Sequence, residues 1–177
     1  MSVRRPEIEV ESWAFALAIY ARPGVADACL ALQNEAGVDV MLLLMTAFAA
    51  VRHRILLTPD EIKTLDEACR PWREQIVRRL RAIRTELKAG PQLAPSSATE
   101  PFRTKVKALE LEAEKLENQL LAACLPLKQA TEEIVKAEQL RAVLNDVVIH
   151  FTVGRNASAN LASSIDIIVE AAMLDVS

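Results

Sequence analysis

Apolar residues recur at helical spacing along almost the whole chain. Val10, Trp13, Leu17 and Tyr20 fall on one face of a 3.6-residue helix, which Pro23-Gly24 ends. Val25 to Ala36 predicts a second, short helix with Ala28, Cys29 and Leu32 inward and Gly37 as its stop. Asp39 is placed to cap a third helix, Val40 to about His53, which is apolar nearly all round and therefore central. Thr58-Pro59-Asp60-Glu61 carries a capping box with proline at the first helical position. That helix runs to about Cys69. Pro71 breaks or restarts it, and a longer helix follows from Trp72 to Lys88, with Trp72, Ile76, Leu80, Ile83 and Leu87 on one face.

Gly90 to Pro95 reads as a linker, and Ser97-x-x-Glu100 as a second capping box. From there to about Cys124, Phe102, Val106, Leu109, Ala113, Leu116, Leu120 and Ala123 repeat with alternating spacings of four and three, a coiled-coil-like seam ended by Pro126. Leu127 to about Leu144 continues as helix. Val147 to Val153 is the one β-branched run, and with helix beside it and no partner strand it also reads as helix. Gly154 to Asn156 is a break before a final helix, Ser158 to Leu174. The pattern predicts an all-α fold, a helical bundle of about six to eight helices with an N-terminal helical half and a long C-terminal helical hairpin. The 177 residues make one domain, with a possible subdivision into 1–89, a linker at 90–97, and 98–177.

Composition narrows the function. Net charge is −3, from 21 basic and 24 acidic residues, which makes nucleic acid an unlikely partner because phosphate contacts need clustered basic residues. Three cysteines without a C-x-x-C, and no apolar leader core after Arg4 and Arg5, place the expected protein in the cytoplasm with neither disulfides nor a metal site. The longest apolar run, Val40 to Val51, is shorter than the ~20 residues of a membrane span. Four glycines leave no phosphate-binding glycine loop, no nucleophile motif is present, and no cofactor is expected.

The first forty-five residues carry a resemblance. Trp13-x-Phe15-x-Leu17-x-x-Tyr20, Pro23-Gly24-Val25, Ala28-Cys29-Leu30-x-Leu32-Gln33, Gly37-Val38-Asp39-Val40 and Leu42-Leu43-Leu44 together resemble an uncharacterised family of small proteobacterial proteins, a conserved domain of unknown function. Trp72 to Lys88, the Glu-rich helix around Glu110 to Glu114, and Asn160-Leu161 extend the likeness. Met41 stands where the family has a polar Asn, and Met45, Thr46 and Phe48 stand where it often has Cys or Trp. The resemblance implies no activity, cofactor or partner.

Two features remain as candidate sites. Arg73, Arg81, Arg84 and Lys88 share an arc of one helix, suited to an anionic ligand through forked guanidinium contacts or to a solvated face with Glu partners. Phe102, Val106, Leu109, Leu116 and Leu120 form a seam for a protein partner or self-association, or pack internally, against Ile134 to Leu144 or on the N-terminal half. Tyr20, Asp27, Gln33, Asn34 and Asp39 surround the early turns and suit a polar pocket. His53 and His150 read as a charge-depressed imidazole and a core histidine. The expectation is a non-enzymatic interaction or adaptor protein. The alternative is a helical small-molecule-binding protein or enzyme with an Arg-lined pocket for an anionic or amphipathic ligand.

Overall fold

The structure, a computed structural model, describes residues 5–89, 96–128, 130–131, 133–152 and 159–174. The linker stretch 90–95 and the Gly154–Asn156 break lie outside them. The described residues form eight α-helices and one π-helical turn, with no strand. The helices are α1 (Arg5–Tyr20), α2 (Val25–Ala36), α3 (Val40–His53), α4 (Pro59–Trp72), α5 (Arg78–Ala89), α6 (Ser96–Cys124), α7 (Ala137–Thr152) and α8 (Ala159–Met173). The π turn, Arg73–Val77, lies between α4 and α5. The all-α bundle predicted from periodicity is the fold found.

α3 is its axis. Every residue from Met41 to Ala50 is buried, and α3 touches every other α-helix except α5. Its start is set by Asp39, whose Oδ1 accepts from Met41 N at 2.9 Å and Leu42 N at 3.3 Å. Gly24 and Gly37, with φ of 80° and 70°, make the two left-handed turns that fold α1, α2 and α3 back on one another. The Thr58–Glu61 capping box forms as the sequence predicts.

Several local expectations change. In α1 the inward stripe is Ile8, Ser12, Phe15 and Ile19, while Val10, Leu17 and Tyr20 are exposed. The helix is apolar on more than one face, so periodicity alone picks two candidate stripes. Asn118 of α6 selects the one carrying Ser12: Ser12 Oγ donates to Asn118 Oδ1 at 3.1 Å, and Asn118 Nδ2 donates to the Glu9 carbonyl at 3.1 Å. Pro71 does not end α4. It sits in the last turn, and the chain widens into the π turn immediately after, a common response to a missing N–H and a crowding ring. Ser97 lies inside α6, which starts at Ser96, so the second capping box is not the helix start. Residues 125–136 are not helical where described. Thr131 instead donates its N–H to the Arg54 carbonyl at 3.0 Å, anchoring the segment across the end of α3. The β-branched run is helical as far as it is described, Val147 to Thr152 lying within α7.

α6 does not pair with the chain that follows it. It packs on α5, α1, α4, α3 and the π turn, while α7 and α8 pair with each other and with α2 and α3. α5 is the outlier: it packs only on α6 and the π turn, and none of its described residues is buried. No single helix among the described residues is long and apolar enough to cross a membrane.

Candidate functional site

The N-terminal end of α3 opens on a cavity of about 600 Å³. α1, α2, α3, the π turn, α5 and α6 enclose it. Trp13, Leu17, Leu30, Met41, Leu44, Val77 and Leu111 supply an apolar wall, and Asp39, Arg73, Glu117, Arg81, Glu110 and Glu114 supply the polar parts.

The floor is a buried charge cluster built from four helices and the π turn. Arg73 is about 5% exposed in its side chain and forks between two acids. Nη1 donates to Asp39 Oδ2 at 2.7 Å, and Nη2 lies 2.6 Å from Asp66 Oδ1. Asp66 Oδ2 also accepts from Arg70 Nη2 at 2.7 Å and lies 2.9 Å from His150 Nε2. The Phe151 ring lies 5.4 Å from the Arg73 guanidinium carbon. Burial alone raises the Asp66 carboxyl, but His150, Arg70 and Arg73 more than offset it and hold it below its ordinary value. Burial weakens the Arg73 cation, and its two carboxylates outweigh that and hold the proton more tightly.

Glu117 is the unusual member. It is 1% exposed and lines the cavity beside Asp39. Burial, then repulsion from Asp39 and a hydrogen bond shared with it, pushes its carboxyl up to about 10. Cys69 Sγ lies 3.7 Å from Asp39 Oδ2 and 3.6 Å from Arg73 Nη1, and burial raises its thiol.

A second cluster forms the side wall. Arg81 Nε donates to Glu110 Oε1 at 2.9 Å and its Nη2 to Glu114 Oε1 at 2.7 Å, while Arg84 also bonds Glu110. Three of the four arginine-arc residues therefore line the cavity, each paired with a carboxylate. Lys88 is exposed and stands outside the lining. Arg81 and Arg84 pair with the Glu-rich helix, and Arg73 with Asp39 and Asp66. Of the early polar residues, Tyr20, Gln33 and Asp39 line the cavity, and Asp27 and Asn34 do not. Asp39 both caps α3 and faces the site.

The seam is split. Val106 and Ala113 are buried, whereas Phe102 is 57%, Leu109 52%, Leu116 45% and Leu120 39% exposed. The inward face of α6 runs through Val106, Glu110, Ala113, Glu117 and Leu121, so glutamates face inward one position after the seam leucines Leu109 and Leu116, which face out. The alternative packing of the seam on Ile134 to Leu144 is absent, since α6 and α7 do not touch. Cys29 packs as a small apolar residue, with burial pushing its thiol up to about 12. His150 has its Nε2 satisfied by Asp66, and burial lowers His53.

A family model described as "Protein of unknown function (DUF2390)" matches residues 11–121, more than half of the chain, so the chain belongs to that family. Every residue lining the cavity, from Trp13 to Glu117, falls inside the matched stretch. No curated protein and no solved structure matches the chain.

Proposed function

We propose that this member of the family is a small-molecule-binding protein of the cytoplasm, and that the cavity over the α3 N-terminus takes an amphipathic ligand. The observation that carries the reading is a cavity of about 600 Å³ with an apolar wall and a buried polar floor, within the usual size range of ligand sites. The ligand's alkyl part lies along Trp13, Leu17, Leu44 and Leu111. Its head group reaches the acids Glu117 and Asp39 at the floor. Because Arg73, Arg81 and Arg84 are each held by carboxylates, the site favours a donor head group, a hydroxyl or an amine, over an anion. The three free cysteines suit a reducing compartment.

Thermal unfolding with octanol, octylamine and octanoate tests this. At a ligand concentration about a hundred times Kd, stabilisation of ~2.7 kcal/mol raises Tm by roughly 5–10 °C. Octanol or octylamine is expected to give that shift and octanoate less. Leu111→Glu, at the half-exposed mouth, is expected to keep the unliganded Tm and lose the shift. No saturable shift with any of the three, or an undiminished shift in Leu111→Glu, overturns the reading.

A second reading rests on the exposed stripe of Phe102, Leu109, Leu116 and Leu120, three of them a heptad apart. It makes α6 a self-association surface. Under it, light scattering finds a wild-type dimer and a folded Leu116→Glu monomer. A monomeric wild type removes it.

A further inference from the structure

The outward side of α6 is apolar along its length and self-complementary in charge. Phe102, Leu109 and Leu116 stand one heptad apart, with Leu120 one turn further on, and all four are exposed. Single exposed leucines need no partner, but four in register on one face make a continuous patch. Among the described residues nothing covers that patch, because α6 turns Val106, Ala113 and Leu121 inward instead. We propose that this face binds a second copy of the chain, with the two α6 helices antiparallel and the two-fold axis at Leu109. The proposal rests on the self-association reading of α6 and fixes the partner's direction and register, which that reading leaves open.

The apolar residues already have the required symmetry. A homodimer interface uses one patch twice, so every residue meets its image through the axis. Leu109 lies midway between Phe102 and Leu116, one heptad from each. With the axis there, the two copies of Leu109 meet, and Phe102 of each copy meets Leu116 of the other. The stripe from Phe102 to Leu120 is about 27 Å long, enough for a reversible dimer rather than a permanent one.

Charge chooses the direction. Lys105 and Glu112 flank the stripe on the same side, both within about 60° of Leu109 around the helix. Both are exposed, and neither side chain takes part in a hydrogen bond or ion pair among the described residues. At about 10 Å apart along the helix they do not pair with each other. Lys105 precedes Leu109 by four residues and Glu112 follows it by three. In the antiparallel dimer Lys105 of each copy therefore falls opposite Glu112 of the other, to within one residue rise of about 1.5 Å. That pair forms twice. A parallel dimer in register sets Lys105 against Lys105 and Glu112 against Glu112, which is the repulsion that flanking charges use to reject a wrong orientation. Glu100 and Arg103, nearer the start of α6, already pair with each other at 2.7 Å and add no bias.

Sedimentation velocity on the full chain over a dilution series tests this. Wild type is expected to dimerise reversibly. Lys105→Glu and Glu112→Lys each replace two attractive contacts by two repulsive ones, and each is expected to raise the dimer Kd about tenfold or more. The two together restore opposite charges across the axis and are expected to bring Kd back to within about threefold of wild type. In a parallel dimer each single reversal only exchanges one like-charge pair for another and leaves Kd unchanged. Both positions are on the surface, so the monomer fold tolerates the substitutions. Crosslinking gives an independent readout. In a Cys124→Ser background, Leu109→Cys is expected to form an intermolecular disulfide under mild oxidation, because its two copies meet at the axis. Leu116→Cys is not, because its two copies lie about 21 Å apart. A wild-type monomer at every concentration overturns the proposal together with the self-association reading. A wild-type dimer that ignores the single reversals, is not restored by the pair, or crosslinks through Leu116→Cys overturns the antiparallel arrangement alone.

Discussion

Replacing Arg73 by alanine is expected to destabilise the protein by roughly 3–5 kcal/mol, the range for removing one partner of a buried ion pair. The side chain is buried and holds Asp39 at 2.7 Å and Asp66 at 2.6 Å. Truncation leaves both carboxylates in place without it. Asp66 keeps the cationic Arg70 and also His150, but Asp39 keeps the α3 N–H groups, the Cys69 thiol and Glu117, none of them a cation. The penalty therefore falls mainly on Asp39, and through it on the start of the most buried helix. Lysine offers a single ammonium where a fork spans two acids, so Arg73→Lys is expected to fall between wild type and Arg73→Ala. Urea unfolding checks this: the midpoint drops and the slope is unchanged. A loss below 1 kcal/mol in Arg73→Ala would mean that the cluster adds no more than a surface pair does, and that water reaches it.

Arg73 also shows what a sequence can and cannot deliver. Its membership of a basic arc is legible, because the 3.6-residue period places it near Arg81 and Arg84. Its real environment is not, because the π turn after Pro71 shifts the phase of everything beyond it by part of a turn. The helices themselves are readable wherever a local signal acts within one turn: Asp39 and Thr58 as caps, Gly24 and Gly37 as left-handed turns, and α3 as an apolar cylinder. Partner choice between helices is not readable. Whether α6 meets α5 or α7 depends on which face wins, and α6 is apolar on two.

The sequence does carry one signal for the buried cluster. Ile62, Leu65, Asp66 and Cys69 occupy a single helical stripe, and so do Val106, Glu110, Ala113, Glu117 and Leu121. An acid at an inward phase has to be neutralised, by a proton or by a partner. Helical phase marks Asp66 on α4 as such an acid, whereas on α6 the leucine seam sets a competing phase and hides Glu110 and Glu117. The sequence holds nothing that brings Asp39, Cys69 and Glu117 together, since no spacing motif links them and only the crossing of α4 and α6 over the α3 cap does.

The other large effect is expected from Phe48→Ala, at about 3–5 kcal/mol, because truncating a buried phenylalanine removes its transfer energy and leaves a cavity. Phe48 is 1% exposed on the axial helix. Its ring meets Phe15 edge-on at 5.7 Å and His53 at 4.9 Å, so it joins α1 to both the middle and the end of α3. Those two rings stand on different elements and cannot both close on the vacated space, which puts the cost toward the upper part of the range. The His53 neighbour gives a separate readout. Burial lowers its pKa, with the charge of Glu11 opposing and Arg52 adding to the effect. The unfolded chain therefore takes up a proton, below the ordinary value of 6.5, that the folded chain resists. Wild-type stability is expected to fall as pH drops through that value and below. Removing the Phe48 ring lets water reach the imidazole, so the fall on the acid side of neutrality should shrink in Phe48→Ala. Urea midpoints at pH values above and below 6.5 measure both effects on the same samples. A cost under 1 kcal/mol would show that α1 and α3 repack without this ring. An undiminished acid-side slope would place the burial of His53 on Glu11 and the surrounding backbone rather than on Phe48.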